Sequence, residues 1–234
     1  MSDLKLCRAM DRYNDEQRRF MIEDQVIVIN EVDEPLSSST KWDAHQVSNP
    51  SLHRAFSILL IDENNELLLQ KRACFKPTFP NLWTNTCCSH PLTPNEVNGL
   101  QGVQDACIRK LYHELGVPTE TFSPADFKLS TKVLYMSPDE TTGLNLCEYE
   151  LDYIVVCRCT RSEVTVESND NEVSDVRWIT LADLVQEFTD VPETFTPWFS
   201  ILVEHFLEDI MDKCKNSLDI VNDGVIHNFL PKKE

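Results

Sequence analysis

The sequence predicts an α+β protein, an α/β/α sandwich built around a mixed β-sheet. Three observations carry that prediction. Strand-like segments cluster instead of alternating one for one with helices, which disfavours a doubly wound parallel sheet. One amphipathic helix sits in mid-chain after a hairpin and a long loop, and further helices gather towards the C-terminal end. The chain has 234 residues, 41% of them hydrophobic, enough to bury one sizeable core.

Each element has its own signal. Residues 1–25 mix charges of both signs with few apolar anchors and read as an N-terminal arm or loose helix. Gln25–Ile29 (QVIVI) is a short apolar strand, and residues 33–50, rich in Ser, Asp and Pro, read as loop. Arg54–Asp62 and Leu67–Gln70 form a hairpin about the turn Glu63–Glu66. Residues 73–100 carry Pro77, Pro80, Pro91 and Pro94 and little periodicity. A loop that long inside a domain is more often functional than accidental. Residues 101–115 are a helix, with Val103, Cys107, Leu111 and Leu115 at spacing four and Gly116 in the C-terminal cap position. Lys128–Met136, Cys147–Arg158, Glu163–Val166 and Asp175–Ile179 are strand candidates. Thr180 caps a short helix with Asp183 at its third position. Thr196-Pro197 opens the last helix, whose apolar stripe runs Trp198, Phe199, Leu202, Val203, Phe206, Leu207, Ile210. The expected division is an arm over 1–25, one domain over 26–215 and a tail over 216–234.

Charge and cysteine usage restrict the partners. Lys and Arg number 21 against 39 Asp and Glu, a net charge of −18, which argues against nucleic acid. The acid is uneven: residues 163–193 hold nine acidic residues and one basic one, a stretch expected to lie well away from the motifs. No apolar run is long enough to span a bilayer. The first 25 residues lack a signal-peptide core, and Lys232-Lys233-Glu234 is neither a retention nor a peroxisomal address. Nine cysteines, an odd number, several of them inside apolar segments, read as reduced thiols in a cytoplasmic compartment.

Four constellations can carry chemistry. The densest is Trp83-Thr84-Asn85-Thr86-Cys87-Cys88-Ser89-His90-Pro91. Cys88 and His90 alternate in an extended stretch and can face the same way, as nucleophile, acid/base or metal ligand, or as ordinary loop residues. In Cys147–Tyr153, the carboxylates Glu148, Glu150 and Asp152 share one strand face, a crowding that a cation or solvent must relieve. His45 and His53, with His90 and the two glutamates, make a candidate His3Glu2 set suited to Mn, Mg or Zn. The helix ending Arg109-Lys110-Leu111-Tyr112-His113-Glu114-Leu115-Gly116-Val117 keeps part of the Nudix helix pattern. Gln101, Lys110 and His113 stand where that pattern has acids.

With these residues in place, the chain resembles the type I isopentenyl-diphosphate delta-isomerases. The matching segments are Leu52-His53-Arg54-Ala55-Phe56-Ser57, Phe79-Pro80, the Trp83–Pro91 loop, Glu114-Leu115-Gly116, Glu148–Tyr153 and Thr196-Pro197-Trp198-Phe199, in family order over roughly residues 26–210. The resemblance implies a Nudix-like sandwich that interconverts isopentenyl and dimethylallyl diphosphate through a tertiary carbocation. It implies Cys88 and Glu150 as acid and base on opposite faces of the substrate, Tyr135 hydrogen-bonded to Glu150, and Trp198 facing the cation. His45, His53, His90, Glu148 and Glu150 match the family's metal ligands, and Glu114 the ligand of a second Mg2+ that accompanies the diphosphate. The five-ligand site would take Mg2+, or Mn2+ or Zn2+. Lys41, Arg72, Lys76 and Lys110 match phosphate-binding positions, with lysine at 110 where relatives usually have arginine. The only partner implied is a small allylic or homoallylic diphosphate, bound by a monomer.

The physical demands of that reaction agree. An unactivated alkene needs a strong, well-placed acid, a carbocation is stabilised by a ring face, and water must be excluded. Trp83, Phe79 and Trp198 are the residues expected to wall the pocket. Two other readings compete: a Nudix-type nucleotide pyrophosphohydrolase, disfavoured by the missing helix acids, and a non-catalytic binding protein of the same fold, disfavoured because both proposed acid/base residues are present.

Overall fold

A computed structural model of the chain describes residues 14–231. Strands β1 (Gln25–Ile29), β2 (Pro35–Thr40), β3 (His53–Ile61), β4 (Glu66–Arg72), β5 (Trp83–Thr84), β6 (Cys87–Ser89), β7 (Lys128–Asp139), β8 (Leu146–Arg158), β9 (Val173–Thr180) and β10 (Ile226–Asn228) join one mixed sheet. The helices are α1 (Asp15–Glu23), α2 (Lys41–Ala44), α3 (Gly99–Leu115), α4 (Leu181–Asp190), α5 (Pro197–His205) and α6 (Leu207–Lys215).

Strand β3 is the centre. It runs parallel to β8 over nine pairs, from His53↔Glu150 to Ile61↔Arg158. Its other edge meets three partners in turn: β1 at His53, β6 at Phe56–Ile58 and β4 at Ile61. All nine of its residues are buried, so successive side chains serve opposite faces. Phe56, Ile58 and Leu60 pack with Val103, Cys107, Leu111 and Leu115 of α3. Leu59 and Ile61 pack with α4, α5 and α6 through Leu184, Phe199, Leu202 and Met211. Each such side chain contributes roughly 1.5–3 kcal/mol through removal from water. One helix on one face and three on the other make the expected α/β/α sandwich.

Several local expectations are corrected. Residues 33–50 contain β2 and the single turn α2, not only loop. β2 is an exposed Ser-rich edge paired with β1, so it shows no alternation. The loop over 73–100 holds the short strands β5 and β6. The hairpin of β3 and β4 pairs only at Ile61↔Leu67, because β4 turns away to pair with β9 over seven residues. Thr86 fills the resulting gap: its hydroxyl donates to the Leu68 carbonyl at 2.7 Å and accepts the Leu60 N–H at 2.9 Å. Residues 163–166 form no strand. A 3-10 turn covers Arg161–Glu163, and the Glu167 N–H then bonds the Leu115 carbonyl at the end of α3. The last helix breaks at Phe206 into α5 and α6.

The two ends of the chain join the fold where they are described. Residues 1–13 and 232–234 lie outside the described residues, so the arm over 1–25 is seen only from Asn14. That stretch carries α1, capped by Asn14, with Met21 packed on Trp42, Leu144 and Leu146. In the tail, β10 pairs in parallel with β7. Among the described residues, no helix is long and apolar enough to cross a membrane.

Candidate active site

The site lies where β3 begins beside the acidic end of β8. Parity on β8 sends Leu151, Tyr153 and Val155 towards α3, and Glu148, Glu150 and Asp152 into a cleft on the other face. The same rule splits the adjacent cysteines of β6. Cys87 turns towards α3 and donates to Glu114 at 3.2 Å, while Cys88 lines the cleft. His53 opens β3 directly opposite Glu150. His45 ends α2 and is fastened to β8 by the Cys147 N–H, which donates to its carbonyl at 2.8 Å.

His45, His53, His90, Glu148 and Glu150 bring one ligand atom each to within 4.8 Å of one another, and all five are buried. The Lys41 carbonyl lies 2.7 Å from His45 Nδ1, and the Ser51 carbonyl 2.7 Å from His53 Nδ1. Those carbonyls accept protons on Nδ1 and leave each Nε2 as a lone pair. The Nε2 of His45 then faces Glu148 Oε2 at 2.8 Å, and Glu150 Oε1 lies 2.7 Å from His90 Nε2. The Nε2 atoms of His45 and His53 and the Oε2 of Glu148 are buried without a hydrogen-bond partner. Converging lone pairs of this kind repel unless a cation lies among them, so the donor set fits a divalent metal ion.

Titration directions follow from the packing. Burial holds His90 well below the ordinary imidazole value, with the charge of Lys41 adding to it, so its ring is neutral. Burial alone would raise Glu150, but the close approach of the His53 ring, with Nε2 3.5 Å from Oε1, outweighs that, and the carboxyl is held at about 2. Burial pushes the Cys88 thiol up to about 12 even though Arg72, with Nη1 3.6 Å from the sulfur, opposes the rise. Tyr135 donates a short hydrogen bond to Glu150 Oε2, and burial drives its hydroxyl well above the ordinary value.

Trp198 closes the cleft from α5. Its Nε1 donates to Asn85 Oδ1 at 3.2 Å, and Asn85 Nδ2 donates to the Cys87 carbonyl at 2.8 Å. One asparagine therefore orients both the ring and the cysteine loop. Phe79 meets the Trp198 ring edge-on at 5.6 Å. Lys41, Arg72 and Lys76 line the same cleft as the carboxylates of Glu148, Glu150 and Asp152, three cations that suit an anionic group. Arg72 spends Nε and Nη2 on the carbonyls of Phe79 and Thr78, which leaves Nη1 turned to the cleft.

Four sequence candidates are elsewhere. Phe79 packs against Trp198 without lining the cleft. Trp83 does not line the cleft: its ring carries the guanidinium of Arg177 at 4.0 Å. Lys110 and Glu114 pair with each other at 2.9 Å at one side of it, and Glu114 also accepts from Gln70 at 3.0 Å. The acidic stretch 163–193 is not remote, because Glu172, 2% exposed, accepts a short hydrogen bond from Lys76. Sequence reasoning placed Asp152 on the face of Glu148 and Glu150 but missed its partner Ser57, whose hydroxyl donates to it at 2.7 Å in the cleft wall.

Comparison with known proteins gives the lineage. The NUDIX domain model matches residues 51–199. An isopentenyl-diphosphate delta-isomerase of Candida albicans is 38% identical, covering 98% of this chain and 87% of its own length. One from Schizosaccharomyces pombe is 42% identical over 83% of this chain and 86% of its own. One from Dictyostelium discoideum is 36% identical over 93% and 94%. A protein of Deinococcus radiodurans shares the fold at a TM-score of 0.56 and 19% identity, covering 77% of this chain and 98% of its own. The chain thus belongs to the Nudix superfamily and, within it, to the isopentenyl-diphosphate delta-isomerase family.

Proposed function

We propose that the protein is an isomerase that interconverts isopentenyl diphosphate and dimethylallyl diphosphate in isoprenoid synthesis. The observation that carries this reading is the shared cleft of Cys88 and Glu150, with one indole ring and three cations around it. Lys41, Arg72 and Lys76 hold the diphosphate and leave the short hydrocarbon end against Trp198. Tyr135 and Trp198 keep water from that end, where a tertiary cation would otherwise be captured as an alcohol. The Trp198 face stabilises the cation, worth about 0.5–2 kcal/mol.

The acid and the base divide one proton. Cys88 and Glu150 face the same cleft, so between them the pair supplies one donor and one acceptor. The partner holding the proton adds it to the alkene, and the other removes one from the neighbouring carbon. In the reverse direction the roles exchange. A divalent ion held by His45, His53, His90, Glu148 and Glu150 would supply positive charge that fixes Glu150 and tunes its acidity. Mg2+ is the ion proposed, with Mn2+ or Zn2+ the alternatives that imidazole nitrogen favours. Glu114, paired with Lys110 at 2.9 Å, would be the residue to hold a second Mg2+ accompanying the diphosphate, whose negative charge that ion would neutralise. We also propose a monomer with 26–215 as the catalytic unit, acting in the cytoplasm.

Isomerisation in deuterated water tests this. Incubation of the metal-loaded protein with isopentenyl diphosphate should yield deuterated dimethylallyl diphosphate. Release of phosphate instead would point to a pyrophosphohydrolase, and no turnover to a binding protein.

A further inference from the structure

His90 differs from the other two imidazoles of the cluster. Backbone carbonyls hold the rings of His45 and His53, whereas no carbonyl holds the ring of His90 among the described residues. What fixes His90 is its own main chain. Arg109 of α3 donates from Nη2 to the His90 carbonyl at 3.0 Å. The same guanidinium grips Glu96 with two bonds of 2.7 Å, from Nε and Nη2. Glu96 in turn accepts the Leu92 N–H at 2.7 Å, while its own N–H donates to the Leu92 carbonyl at 2.9 Å. The turn after His90 is thus wound around one carboxylate, and a planar fork ties that carboxylate and His90 to the helix.

Two details show a built arrangement. Gly102 sits where a Cβ would come within 2.1 Å of the Glu96 carbonyl oxygen, so α3 can approach this turn only with glycine there. Gln101, which stands where the pyrophosphohydrolase pattern has an acid, bonds Asp105 on the exposed side of the helix. Arg109 takes its carboxylate partner from the preceding loop instead. A bidentate arginine–carboxylate pair is directional, and a lysine cannot reproduce its fork.

We propose that Glu96 and Arg109 are positioning residues for His90, setting the height and direction of its imidazole in the His3Glu2 cluster. The proposal rests on the reading of that cluster as a metal site. Groups that orient a ligand from behind are worth about 10–100-fold in metal affinity. Lysine at 109 keeps the charge but cannot reach Glu96 and the His90 carbonyl together. Glutamine at 96 keeps an acceptor for Leu92 but loses the charge that attracts the guanidinium.

The test is a Co2+ titration without substrate, followed by the visible absorption of the bound ion, on the wild type, Arg109→Lys, Arg109→Ala and Glu96→Gln. Asp33→Asn is the control. Asp33 accepts from Arg54 at 2.9 Å and from Lys132 at 2.7 Å in an ion-pair cluster that shares no residue with the metal set. The expected result is a 10–100-fold weaker Co2+ affinity and an altered spectrum in Arg109→Lys and Glu96→Gln, with Asp33→Asn binding as the wild type does. Arg109→Lys is the gentler variant and keeps the test decisive if Arg109→Ala fails to fold. Wild-type affinity in both Arg109→Lys and Glu96→Gln overturns the proposal, as does an equal loss in Asp33→Asn. A wild type that binds no Co2+ overturns the metal-site reading and this proposal with it.

Discussion

Lys76 and Glu172 form an ion pair inside the protein, their side chains only 9% and 1% exposed. Gln17 of α1 donates to the free oxygen of Glu172 at 3.0 Å, so the carboxylate links the first described helix to a cation of the cleft. Breaking one side of such a pair strands a buried charge at a cost of about 3–5 kcal/mol. Glu172→Gln should lose that much stability at pH 7 by urea denaturation. Burial would raise this carboxyl, but Lys76 and Lys110 hold it far below its ordinary value. A depressed folded value gives stability that is present above the ordinary carboxylate range, about 4.3, and fades as pH falls through the folded value. The gap between wild type and Glu172→Gln should therefore be smaller at pH 3 than at pH 7. An equal gap at both would refute the assignment.

The two proposed acid/base residues should be jointly indispensable. Cys88→Ala and Glu150→Gln should each reduce kcat by 10²–10⁴-fold or more, the scale of general acid–base catalysis. Cys87→Ala, which alters the α3 side of the sheet, should cost far less. Near-normal rates in Cys88→Ala or Glu150→Gln would remove that residue from the mechanism.

Tyr135→Phe isolates one hydrogen bond. The ring stays, packed 6.4 Å from Trp198, while the donor to Glu150 disappears. Hydrogen bonds to charged groups are worth about 1.5–3 kcal/mol, so kcat should fall by roughly ten- to a hundredfold at about 1.4 kcal/mol per decade. A steady-state rate unchanged in Tyr135→Phe would contradict the role.

Metal removal should show in stability as well as rate. An ion that binds only the folded chain stabilises it by about 2.7 kcal/mol at a hundred times its Kd. Dialysis against a chelator should lower the melting temperature and abolish turnover, and added divalent ion should restore both. His53→Ala should keep its melting temperature independent of metal.

Gly116 ends α3 with φ +65°, and a Cβ there would lie 2.5 Å from the Glu167 carbonyl oxygen. Gly116→Ala adds a left-handed penalty of roughly 1–2 kcal/mol to that clash. Calorimetry should find the variant at least that much less stable.

The legible parts of the fold were those with strong local signals. The nine-residue run of β3, the period of α3 and the Thr180 cap are written in adjacent residues. Within the His3Glu2 cluster, β-strand parity alone aligned Glu148 with Glu150, whereas His45 sits in a stretch with no pattern of its own and joined the set only as a companion of His53 and His90. What escaped depends on partners distant in sequence. Glu172 looked like one acid in an acidic run until Lys76 faced it. Trp83 looked like a pocket wall, and its stacking on Arg177 follows from the pairing of β4 with β5 and β9. β2 has no inward face, so it left no alternation to read.

The parallel junction of β3 and β8 has a consequence for how the chain reaches its native state. Ser57 and Asp152, joined across that junction, are 95 residues apart in sequence. His53 and Glu150 meet on the same two strands, so the ligand cluster cannot exist as a local fragment. Closing so long a loop costs entropy before any contact repays it, and topologies of this kind fold slowly. Metal uptake should accordingly appear late in refolding, with the central pairing, and a nascent chain that has not yet released β8 has no site to fill.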